Sequence, residues 1–256
     1  MLDRIFSRIF LGKAQRRLFQ RGLPILVYHS IAKPPRDCRD PHLYVEPSTF
    51  DAQLEALRTA GFSSAGLDEF PATRADFPAG KKVVITFDDG CRNVWQNALP
   101  ALARHRFQGI QFLVAGLIGG HNEWDTRHGE IREPLMDAAQ IQEWLAAGHE
   151  IGSHSLTHRN LTRLDEVGAR EQIFASKRKL EDLFGREVRH FCYPHGRWNE
   201  MVRALVQEAG YVTACAVTFG VNLPTADPFT LRRITPLSAT GLLRKAAHRL
   251  MRKRRG

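Results

Sequence analysis

Thr86-Phe87-Asp88-Asp89-Gly90 sets two adjacent carboxylates directly after an apolar run, Lys81 to Phe87. Neighbouring carboxylates at the end of a buried strand repel each other unless a cation or a proton relieves them. One can then hold a metal while the other, pointing elsewhere, handles a proton. Alone, an Asp-Gly pair also reads as a solvated turn. Further on, Ser153-His154-Ser155-Leu156-Thr157-His158 spaces two histidines four apart, which puts them on one face if the segment is a helical turn. Alone, they also read as two surface histidines. Combined with the acidic pair they read as a cation site, which an oxygen ligand from elsewhere completes with one position left open for catalysis. A third segment, Phe191-Cys192-Tyr193-Pro194-His195-Gly196-Arg197, is a Pro-x-Gly turn whose backbone N–H could face an oxyanion.

The elements that must carry these residues alternate between strand and helix. Pro24 to Tyr28 is a short apolar run ending on His29-Ser30. Ser48 is expected to cap a helix through Phe50, Leu54 and Leu57, and Asp137 a second through Ile141, Trp144 and Leu145. Further helices are expected near 93–105, 165–184 and 198–209. Strands are expected at 81–87, 110–114, 149–152, 189–192, 211–217 and 230–234. Segments 31–47 and 116–136 read as loops. Such alternation implies a parallel sheet, either a (β/α) barrel or a doubly wound sheet, with chemistry at the C-terminal strand ends. His29, Asp88-Asp89 and His154/His158 all fall there.

TFDDG, then H-S-x-x-H, then a Y-P-x-G turn resembles, over about residues 23–236, the polysaccharide deacetylases of carbohydrate esterase family four, the NodB homology group. The resemblance implies an α/β fold, a distorted (β/α) barrel of about seven strands, and one divalent ion, zinc by expectation. It implies Asp88 as general base and Asp89, His154 and His158 as metal ligands. Water at the open position, deprotonated by Asp88, then attacks an acetamide carbonyl, with the N–H of His195 at the oxyanion. His195 stands where many members have tyrosine, and the Leu-x-His segment that supplies the acid in many members is missing. Val27-Tyr28-His29-Ser30-Ile31 and Leu231-Arg232-Arg233-Ile234 instead resemble the poly-N-acetylglucosamine deacetylase branch. That makes His29 the expected acid, placed across the metal from Asp88, and one of the two arginines either a partner of Asp88 or half of a surface ion pair. Tyr193, Pro194, Trp124 and Arg233 are expected substrate contacts; Trp124 also reads as a loop anchor.

The chain of 256 residues carries a formal net charge of +10, unevenly spread. Residues 1–22 hold six basic residues against Asp3, and residues 241–256 hold seven basic residues and no acid, which leaves 23–240 at −2. Three parts follow: a basic amphipathic helix over 1–22, the deacetylase domain over 23–240 with its motif core at about 80–236, and a basic tail over 241–256. The near-neutral body argues against nucleic acid as a partner. The ends, each with an apolar helical face, suit either packing on the barrel or peripheral contact with an anionic membrane. Four widely spaced cysteines without a C-x-x-C pair, and no continuous apolar run at the start, lead to a cytoplasmic expectation, with the inner face of the membrane as a peripheral site. The expected partner is an N-acetylated amino-sugar glycan, polymeric, oligomeric or lipid-linked. The alternatives are a metal amidase for a small cyclic amide or formamide, and a non-catalytic carbohydrate-binding relative.

Overall fold

The computed structural model describes residues 19, 22–69, 81–126 and 131–236. The expected helices at the two ends therefore lie outside the described residues, apart from Phe19 and Gly22. Phe19 is buried and meets the Phe62 ring edge-on.

Eight strands are present among the described residues. They are β1 (Ile25–Tyr28), β2 (Ser63–Ser64), β3 (Lys82–Phe87), β4 (Ile110–Leu113), β5 (Glu150–Ser153), β6 (His190–Cys192), β7 (Thr213–Phe219) and β8 (Leu231–Arg233). Seven follow one another in parallel in the order β1-β3-β4-β5-β6-β7-β8, and β2 pairs only with the start of β3. Bonds from Val27 N–H to Ile234 O and from Ile234 N–H to Ile25 O join the end of β8 to β1. This closure makes the sheet a seven-stranded barrel and rules out the doubly wound alternative. The helices are α1 (Pro47–Thr59), α2 (Arg92–His105), α3 (Glu123–Thr126), α4 (Ala138–Ala146), α5 (Glu166–Phe184) and α6 (Glu200–Glu208).

Helix starts follow local chemistry, with one correction. Asp137 and Gln140 cap α4 reciprocally, and Asp165 and Asn199 cap α5 and α6. Ser48 caps nothing: Pro47 already occupies the first turn of α1, where its missing N–H is harmless, and Glu46 is the residue before it. The segment expected as a bare loop over 116–136 contains α3 and the bridge His121–Pro134.

The period-two alternation of each strand decides what reaches the barrel interior. In β3, Val83, Ile85 and Phe87 belong to the core under the helices, while Val84 belongs to the inner layer with Ile25, Ile110, Phe112, Cys192, Cys215 and Leu231. Gly152 shares that layer because a β-carbon there would sit 2.6 Å from the Phe112 ring and 2.9 Å from His190 O. One pleat higher, the same parity turns His29, Thr86, Asp88, His154 and Arg233 inward, so an apolar floor carries a polar lid.

Candidate metal centre and its cleft

Asp88 and Asp89 follow β3 and diverge. Asp89 takes a left-handed backbone, φ 75°, and Gly90 continues it at 84°. Asp88 turns into the barrel and meets Arg233 on β8. The guanidinium grips the carboxylate twice, Nη1 to Oδ1 at 2.7 Å and Nη2 to Oδ2 at 2.8 Å. It also donates to Ala216 O and Thr86 Oγ1, and lies 3.1 Å from Cys192 Sγ. Burial alone would raise the Asp88 pKa, but the charge and hydrogen bonds of Arg233 outweigh it and hold the carboxyl well below the usual range. Removing either partner from so buried a pair costs about 3–5 kcal/mol.

Asp89 has no such partner. Its Oδ1 is buried without a hydrogen bond to any described residue, and faces His154 Nε2 at 3.5 Å and His158 Nε2 at 3.4 Å. Burial first, then Asp88 and Asp125, push its carboxyl well above the normal pKa. Burial pulls His154 down to about 4 and His158 well below the usual value, so both imidazoles are neutral at neutral pH. His154 Nδ1–H donates to Cys192 O at 2.7 Å, which fixes the tautomer and turns the Nε2 lone pair toward Asp89. Three buried donor groups therefore converge, two of them neutral imidazoles. A tetrahedral ion with bonds of ~2.0–2.1 Å sets its ligands about 3.4 Å apart, so the donor set fits a divalent metal. The two histidines meet through an irregular turn, not the helical turn their spacing suggests, with Ser155 at φ 67° and His158 at φ 58°.

His29, expected across the metal from Asp88, has its Nε2 3.9 Å from Asp88 Oδ2. The register explains this: Tyr28 pairs with Phe87, so the next residues of β1 and β3 are inward-facing neighbours. Burial lowers the His29 pKa, and the Asp88 charge partly restores it. Three expected substrate contacts are enclosed instead. Arg233 has no exposed side-chain surface. Tyr193 points outward under the helices with its hydroxyl on Phe229 O, and Pro194 is buried in the turn. Parity is again the reason, because Phe191 and Tyr193 flank the inward Cys192. Trp124, from α3, lies over the His158 ring with centroids 4.4 Å apart. His195 is exposed at φ 58°, its ring 4.7 Å from that of His158. Both line an open cleft of about 820 Å³ that His158 borders.

A closed parallel barrel with an acid–histidine donor set at its C-terminal end defines a class of hydrolase sites, and comparison places the chain within it. The family described as polysaccharide deacetylase matches residues 76–214, more than half of the chain, and the protein belongs to that family. YxkH of Bacillus subtilis is 27% identical over 214 residues, 83% of this chain and 70% of its own length. A poly-beta-1,6-N-acetyl-D-glucosamine N-deacetylase of Staphylococcus aureus is 23% identical over 195 residues, 74% of this chain and 67% of its own. The fold is shared with the Streptococcus pyogenes deacetylase PplD at a TM-score of 0.73, with 23% identity, 87% of this chain covered and 97% of the other. It is shared equally with IcaB of Ammonifex degensii, TM-score 0.73, 23% identity, covering 89% and 96%.

Proposed function

We propose that the protein removes N-acetyl groups from amino sugars of a glycan with the help of one divalent ion, zinc by the chemistry of the donors. The observation that carries this is the unpartnered Asp89 Oδ1 facing two neutral histidines beside an ionised, arginine-held Asp88. An ion held by Asp89, His154 and His158 would supply Lewis acidity, polarising the acetamide carbonyl and lowering the pKa of a water in the site. Asp88 accepts that water's proton. Arg233 keeps Asp88 ionised and aimed, and by depressing its pKa makes it a weak base, which suits only a water already made acidic. His29, kept neutral by its burial, takes up the proton that Asp88 collects, its Nε2 lying 3.9 Å from Asp88 Oδ2, and passes it to the leaving amine. The backbone N–H of His195 is the proposed donor to the developing oxyanion.

An open cleft of about 820 Å³ suits a sugar chain better than a small cyclic amide, and the similarity to the Staphylococcus aureus deacetylase points the same way. The cytoplasmic setting, and membrane contact through the basic ends, belong to the same proposal. Among the described residues no helix is long and apolar enough to cross a membrane. Release of acetate and free amine from N-acetylglucosamine oligomers, abolished by chelation and restored by zinc, is the expected result. Full turnover after complete metal removal would sink the proposal. Co-sedimentation with anionic vesicles, weakened by salt and by deleting residues 1–19 or 241–256, tests the membrane contact.

A further inference from the structure

The cleft beside His158 has an uneven rim. Three barrel corners in succession build it: α3 after β4 supplies Glu123, Trp124 and Asp125, the segment after β5 supplies Arg159 and Arg163, and the turn after β6 supplies Arg197. Asp125 already acts on the metal donors, raising the Asp89 pKa. The three arginines are exposed and form no ion pair with a described residue. The three guanidiniums outnumber the two carboxylates on the same cleft, Glu123 and Asp125, within a body, residues 23–240, whose net charge is slightly negative.

They are also held on firm supports. Arg163 ends a tight turn anchored by fully buried Leu161 and capped by the Asn160 side chain on Thr162 N–H. Arg197 follows a turn anchored by buried Pro194, in which only glycine fits at 196, since a β-carbon there would come within 2.2 Å of Val217. Guanidiniums recognise oxyanions through paired N–H donors that neutral sugar hydroxyls do not need, and a rigid turn spares the backbone share of the ordering cost.

We infer that the amino-sugar substrate carries an anionic group, a phosphate ester or a carboxylate, which Arg159, Arg163 and Arg197 bind next to the N-acetyl group being cleaved. This rests on the deacetylase reading and names its substrate class. The anion sits outside the metal donors, at the β5 and β6 corners, and fixes which sugar of the chain is presented to Asp88.

The test reads binding apart from turnover. N-acetylglucosamine, N-acetylglucosamine 1-phosphate and N-acetylmuramic acid are titrated by calorimetry into the full-length, zinc-loaded protein at low and high salt. At low salt an anionic probe is expected to bind about tenfold or more tighter than N-acetylglucosamine, with the gap shrinking at high salt. Preference for the 1-phosphate marks a phosphate-bearing glycan, and preference for N-acetylmuramic acid marks a carboxylate. The combined R159Q, R163Q and R197Q protein should lose the gap and keep its affinity for N-acetylglucosamine. Should that protein melt early, R163Q and R197Q singly must each narrow the gap. Equal affinity for all three probes, or an anion preference that survives the substitutions, overturns the inference. Absence of turnover on every amide would instead count against the deacetylase reading, because the binding result does not depend on it.

Discussion

Each end of the barrel buries histidines against carboxylates, and the two ends treat them differently. At the N-terminal end His190 has both ring nitrogens occupied, Nδ1 with Thr213 Oγ1 at 2.9 Å and Nε2 with Asp68 at 3.1 Å. His149, nearby at the start of β5, accepts from Gly109 N–H and lies on the Trp144 ring. At the C-terminal end Asp89 Oδ1 and His158 Nδ1 are buried with no hydrogen-bond partner among the described residues. Residue types alone do not separate the two clusters. Satisfaction does: a buried polar atom left open is costly, and persists where something else completes it.

The sharpest way to break this contrast is to remove a donor from each end. Asp89→Ala or His154→Ala should abolish metal uptake, read by plasma emission, and turnover with it; His190→Gln should leave both intact. A metal stoichiometry unchanged in Asp89→Ala would remove the distinction. Next in size, Asp88→Asn should retain the metal and lose ~10²–10⁴-fold in turnover, because only the proton acceptor is gone. Arg233→Met leaves Asp88 buried without its counter-charge, so a loss of about 3–5 kcal/mol in denaturant unfolding is expected. At the other end His190→Gln should cost only about 1–3 kcal/mol, from the Asp68 and Thr213 bonds left unmade. A pH dependence sharpens the same contrast. Burial lowers His149 to about 4 in the folded protein, against ~6.5 unfolded. The unfolded chain thus binds the extra proton first, and stability is full above about pH 6.5 and falls as the pH drops toward 4. His149→Gln should flatten that acid slope, and an unchanged slope would assign it to other groups.

Much of the site was legible because strand parity is simple. Val84, Thr86 and Asp88 share a face in any strand, and Leu231 and Arg233 repeat the pattern on the last one. The histidine spacing picked out two side chains that do converge, though through another geometry, since two left-handed residues do what a helical turn was expected to do. What parity could not say is which face is inward at a strand only three residues long. Tyr193 and Pro194 were therefore read as reaching substrate when the inward residue is Cys192. The closeness of His29 to Asp88 was not legible, because the β1–β3 register is a property of two distant segments. The cleft arginines left a trace that was passed over: Arg159 immediately follows the second histidine, and Arg197 follows the Pro-His-Gly turn.

The grip of Arg233 on Asp88 spans 145 positions of sequence. During synthesis the carboxylate leaves the ribosome long before its guanidinium, and the same strand that brings the guanidinium also joins β1 and completes the ring. Until then Asp88 lacks its counter-charge and stays hydrated or protonated. A nascent or truncated chain without β8 has neither a closed ring nor a gripped Asp88.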